Sequence, residues 1–121
     1  MEDKHAALGS YLRERREVLQ AGDRTFSLRQ VAARAEVEPS YLSKIERGQE
    51  APPSEPTIRR LAEVLDEDPD VLLALAGKVS ADLQDVIRKR PQLFAELIRH
   101  VADLPDHAVL RVVREVRDGS W

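Results

Sequence analysis

The chain has 121 residues, 42% of them apolar, 34% charged and only 4% aromatic, and it contains no cysteine. That profile fits one globular domain, or one domain with an appended piece. It excludes a disordered chain, a disulfide scaffold, a thiolate metal site and a cysteine nucleophile. The net charge of -3, from 19 basic and 22 acidic residues, argues against a nucleic-acid partner when taken alone.

Apolar residues recur at spacings of three and four, and β-type alternation is absent, so the sequence predicts helix nearly throughout. Leu8, Tyr11, Leu12 and Leu19 mark a first helix over roughly 6–21, ended by Gly22. Ser27 is placed to cap a second, with Leu28, Val31, Ala32 and Ala35 on one face. Glu38-Pro39 opens a third, because a proline at the first helical position gives up no bonded N–H. Leu42 and Ile45 face inward there, and Gly48 stops the helix. Residues 51–56 contain three prolines and read as an extended loop. Thr57 is expected to cap a fourth helix carrying Ile58, Leu61, Ala62 and Leu65. Asp68-Pro69 starts a short fifth through Val71, Leu72 and Leu75, closed by Gly77. The pattern then begins again. Ser80 caps a sixth helix with Leu83, Val86 and Ile87. Pro91 begins a seventh with Phe94, Leu97, Ile98 and Val101. Pro105 begins an eighth with Val109, Leu110, Val112, Val113 and Val116, and the tail is Asp118-Gly119-Ser120-Trp121.

The charge is uneven. Residues 1–49 hold nine basic and eight acidic side chains, and residues 50–121 hold ten and fourteen. Fifteen of the 19 basic residues are Arg, whose planar fork suits phosphates and base edges, although a GC-rich genome explains the same skew.

Helices two and three form the informative unit. A short helix, a tight connection at Glu36-Val37-Glu38 and a second helix with a polar outer face make a helix-turn-helix plan. Ser40, Tyr41 and Lys44 share one face of the third helix, opposite Leu42 and Ile45. Hydroxyl, phenol and ammonium groups there are able to meet base edges and phosphates, or simply to face solvent.

The octet Tyr41-Leu42-Ser43-Lys44-Ile45-Glu46-Arg47-Gly48 resembles the signature of the XRE family of phage-repressor and Cro-like regulators. Leu12-Arg13-Glu14-Arg15-Arg16 resembles its first-helix motif, and Pro53 to Leu73 its fourth and fifth helices. The likeness covers roughly residues 8–76. It implies an all-α fold, with a five-helix repressor-like domain followed by a short helical C-terminal segment. It also implies a regulator, most simply a repressor, that binds double-stranded operator DNA as a homodimer. Carried over by position, the family's base-reading sites fall on Pro39, Ser40 and Lys44 and its backbone-contacting or groove-edge sites on Tyr41 and Arg47, with Ser43 also expected among the DNA-binding residues. Ser27 and Arg29, at the start of helix two, hold phosphates. Arg16 and Glu46 form a structural ion pair.

Three positions depart from the family pattern. Leu28 stands where Gln is frequent, with Arg29 as its substitute. Glu36 stands at the glycine position of the turn, where a positive φ is expected. The link from Ala21 to Ser27 is about five residues longer than usual. It reads most plainly as a solvated loop with Phe26 packed ahead of the Ser27 cap, and Arg24 is its residue best able to reach a DNA backbone.

His100, Asp103, Asp106 and His107 invite a metal reading, but their spacing fits no helical ligand set. No paired carboxylates or phosphate-binding glycine loop stand out, so neither enzyme activity nor a cofactor or metal is expected. The start, Met-Glu-Asp-Lys-His, is unlike a signal peptide, and no apolar run reaches a bilayer span, which together imply the cytoplasm. The expected division is a DNA-binding domain over 1–77 and a helical segment over 78–121. Three short helices bury little by themselves, so that segment should pack on the first domain, a second copy or both. An antitoxin-like or assembly protein, with a partner bound through 78–121 and the DNA-binding domain left for autoregulation, is the alternative. Trp121 is either a tail anchor or exposed.

Overall fold

A computed structural model describes residues 5–119. Among them all regular structure is helical. The order is α1 (Ala6–Gly22), a 3-10 turn (Arg24–Phe26), α2 (Leu28–Arg34), α3 (Pro39–Glu46), α4 (Glu55–Leu65), α5 (Pro69–Leu75), α6 (Ala81–Lys89), α7 (Pro91–Val101) and α8 (Asp106–Asp118). The fold is therefore all-α, as the apolar spacing predicts. Trp121 lies outside the described residues.

Two compact units divide the chain, one reaching to Ser80 and one starting at Ala81. The first has a core drawn from α1 to α5. Leu8 and Leu12 of α1, Val31 and Ala32 of α2, Leu42 and Ile45 of α3, Ile58 and Leu61 of α4, and Leu72 and Leu73 of α5 are all buried. Tyr11, Leu19 and Phe26 pack partly buried against that core.

Four successive helices end in the same way. After α2, α3, α4 and α5 one residue takes a left-handed conformation: Glu36 (φ 60), Gly48 (φ 71), Asp66 (φ 54) and Gly77 (φ 73). The next amide then reaches back to close the last turn: Val37 N to Ala32 O, Gln49 N to Lys44 O, Glu67 N to Ala62 O and Lys78 N to Leu73 O. These paired closures satisfy the carbonyls that a helix end would otherwise leave unbonded.

Two boundaries differ from expectation. Thr57 is not the cap of α4; Ser54 is, and the helix already includes Glu55 and Pro56. Pro56 is tolerated because amides in the first turn have no intrahelical partner to lose. Thr57 is instead buried, where its hydroxyl accepts from Arg60 Nη2 at 3.1 Å. At the other end, α8 runs through Asp118, one residue further than the expected tail, and Gly119 (φ 66) ends it.

The second unit has a different texture. None of its described residues is buried. Phe94, Ala95 and Val101 of α7 and Val109 and Val112 of α8 are half-buried, whereas Leu93, Leu97, Leu110, Val113 and Val116 are exposed. Each helix thus keeps an apolar face open.

Candidate nucleic-acid interface

The pairing of α2 with α3 begins with local chemistry. Ser27 caps α2, its hydroxyl accepting from Gln30 N at 3.3 Å. At the far end the backbone turns at Glu36, and Arg60 of α4 braces that turn. Its Nε donates to Ala35 O at 2.9 Å and lies 3.5 Å from the Glu36 carboxylate. Glu38 then takes extended geometry, and Pro39 sets the first turn of α3. The connection is as short as the helix-turn-helix plan requires.

α3 is fixed from behind by α1. Arg16 and Glu46 meet through two parallel hydrogen bonds, Nε to Oε2 at 2.7 Å and Nη2 to Oε1 at 3.0 Å. Arg16 Nη1 also reaches Gln20 at 3.0 Å and the Phe26 carbonyl at 3.5 Å. Hydrogen bonding to Glu46 holds the Arg16 guanidinium above its ordinary pKa, outweighing a desolvation that would lower it. Gly9 lets the two helices approach. A Cβ built there would clash with the Ile45 carbonyl and lie 2.9 Å from the Glu46 carbonyl oxygen, so Gly9→Ala forces α1 off α3.

With Leu42 and Ile45 inward, Pro39, Ser40, Lys44 and Arg47 are exposed along α3 and its end. Ser40 and Lys44 are one turn apart and stand clear of the core. Tyr41 is half-buried and packs against the core, so its ring is partly committed to the fold. Ser43 is half-buried, and its carbonyl accepts from Arg47 Nε at 3.3 Å. On α2, Arg29 is exposed and Ser27 is half-buried at its cap. The structure thus brings Arg16 to Glu46 and Arg47 to Ser43, and leaves Ser40, Lys44 and Arg29 open to solvent.

The cations of the first unit sort into two groups. Most are engaged within the fold: Arg13 with Glu17, Arg15 with Glu67, Arg59 with Glu55, and Lys78 with the Pro53 carbonyl. Among the described residues of this unit, Arg24, Arg29 and Lys44 have no intramolecular partner for their charge. All three fall between the 3-10 turn and α3. The acidic excess lies elsewhere in sequence, since residues 50–80 hold seven acidic and three basic side chains.

The link before α2 is more ordered than a solvated loop. It forms a 3-10 turn whose Asp23 carboxylate caps Thr25, and whose Phe26 ring lies beneath the Arg34 guanidinium at 4.6 Å. Sequence reasoning missed this bracing, although Asp-x-Thr is a known side-chain capping pattern. It also missed Gly9, for which no local signal exists. Among the described residues no group of His, Asp or Glu is arranged to hold a metal. No described helix is long and apolar enough to cross a membrane.

A family model described as a helix-turn-helix domain matches residues 7–75, more than half of the chain. That span runs from the start of α1 to the end of α5. No curated protein and no solved structure matches the chain.

Proposed function

The chain belongs to the helix-turn-helix domain family, and from that premise we propose that it is a sequence-specific transcription regulator of the XRE type. In this reading it is a repressor that binds an operator as a homodimer in the cytoplasm, on the nucleoid. It catalyses no reaction and needs no cofactor.

The observation that carries the reading is the state of α3. Its back is tied to α1 by a buried ion pair, while Ser40 and Lys44 stand free on its outer side. A helix held in that way enters a major groove without further ordering. Lys44 and Ser40 then meet base edges, with Pro39 at the entry of the helix and Tyr41 buttressing them. Arg29, Ser27, Ser43 and Arg47 serve the sugar–phosphate backbone, which sets register and not sequence. The Arg47 bond to its own helix is long and exposed, so it exchanges readily for a phosphate.

The second unit supports the homodimer. Its open apolar faces need a cover, and a second copy supplies one while bringing a second reading head to the same duplex. The same faces favour a second reading, in which a different protein covers them and the DNA-binding unit regulates its own gene.

Selection of bound duplexes from random DNA at stated salt tests the proposal. Enrichment of a two-fold symmetric site with half-sites about one turn apart supports it. A single unpaired half-site removes the homodimer, and no enrichment removes the regulator.

A further inference from the structure

We propose that the 3-10 turn between α1 and α2 is a built clamp for the DNA backbone, with Arg24 as its phosphate-binding residue. This rests on the DNA-binding reading above and adds a contact outside the helix pair.

The turn is braced on three sides. The Asp23 carboxylate accepts from Thr25 N at 2.9 Å and from Thr25 Oγ1 at 2.7 Å. Arg34 of α2 donates to the Thr25 carbonyl at 2.8 Å and stacks on Phe26. Arg16, which also holds α3, touches the Phe26 carbonyl. One side chain therefore links the turn to the recognition helix, so the two share a frame.

The polarity of the turn suits an anion. The carbonyls of Asp23, Arg24, Thr25, Phe26 and Ser27 each accept from an internal donor: Phe26 N, Ser27 N, Arg34, Arg16 and Val31 N. An approaching phosphate meets no unengaged carbonyl among them. The one acidic side chain in the turn, Asp23, stays ionised, since hydrogen bonds from Thr25 lower its pKa, but both of those bonds turn its carboxylate onto Thr25. Arg34 of α2, exposed beside the turn, is already engaged by the Thr25 carbonyl and the Phe26 ring. Arg24 is exposed and uncommitted, three residues before the Ser27 cap and five before Arg29, which is also uncommitted. A plain surface arginine needs none of this bracing. A phosphate contact gains from it, because a preformed turn spends little ordering entropy on binding.

The test measures affinity for the selected duplex across a salt series. Each phosphate neutralised contributes about 0.9 to the slope of log K against log salt. Arg24→Gln is expected to lower that slope by about 0.9 per bound chain, with the preferred sequence unchanged. Arg13→Gln removes the same charge from a residue already paired with Glu17, and is expected to leave the slope as it is. Asp23→Ala is expected to weaken binding despite removing a negative charge, because the turn loses its cap. An unchanged slope in Arg24→Gln, an equal change in Arg13→Gln, or unchanged or tighter binding by Asp23→Ala would each overturn the clamp while leaving the DNA-binding reading intact. A wild-type chain that selects no duplex overturns both.

Discussion

Arg16 grips Glu46 across thirty residues of sequence with both prongs of its guanidinium, and the two side chains are only 9% and 4% exposed. Breaking such a pair from one side strands a buried charge, which costs about 3–5 kcal/mol. Arg16→Met is therefore expected to shift the urea midpoint sharply downward. Adding Glu46→Leu should recover most of that loss, because an apolar pair of similar volume fits the same space. If the double variant is no more stable than the single one, the pair is not the unit that the geometry describes.

Lys44 carries a different expectation. It is exposed on α3 and has no partner in the fold. Lys44→Ala should leave thermal stability unchanged and reduce operator binding by about 1–3 kcal/mol, while binding to random DNA changes little. Competition binding against both duplexes checks this. An equal loss on the two would move Lys44 from base reading to phosphate binding.

Glu36 holds a left-handed backbone (φ 60) that favours glycine, and its carboxylate is well exposed beside Arg60. An exposed ion pair contributes little, so relief of the backbone dominates. Glu36→Gly is expected to stabilise the protein by about 0.5–1 kcal/mol, seen as a rise in Tm of a few degrees. A fall in Tm would mean that Arg60 needs Glu36 to hold the turn.

Ending the chain after Ser80 keeps every buried apolar residue of the core and discards the uncovered helices. The shortened protein should fold and sediment as a monomer. Its operator affinity should fall about a hundredfold or more, because two linked reading heads gain that much over one. A dimer of residues 1–80 in the ultracentrifuge would place the interface in the first unit.

Much of the first unit is legible in its sequence, because one face of each helix is apolar and each end is punctuated. Ser27, Pro39, Gly48 and Gly77 act where such residues act anywhere. The start of α4 is the exception. Three prolines in six residues look like loop, yet Ser54 caps a helix that takes Pro56 within its first turn. Glu36 was readable only through the family pattern, which places glycine there. The Asp23–Thr25 cap lies in a stretch with no apolar period, so periodicity passes over it. For α6 to α8 the pattern gives the helices but not what covers them, since an amphipathic face states a need and not a partner.

Heat capacity turns that last point into a number. It grows on unfolding with the apolar surface that water newly reaches. Among the described residues, all thirteen buried apolar side chains lie from Leu8 to Leu73. In dilute protein, residues 5–80 at about 12–15 cal/mol/K each should supply about 1 kcal/mol/K, and the remainder should add almost nothing. Once the open faces of α6 to α8 are covered, that increment appears, so a calorimeter run across protein concentrations follows the covering of the second unit without any label or probe.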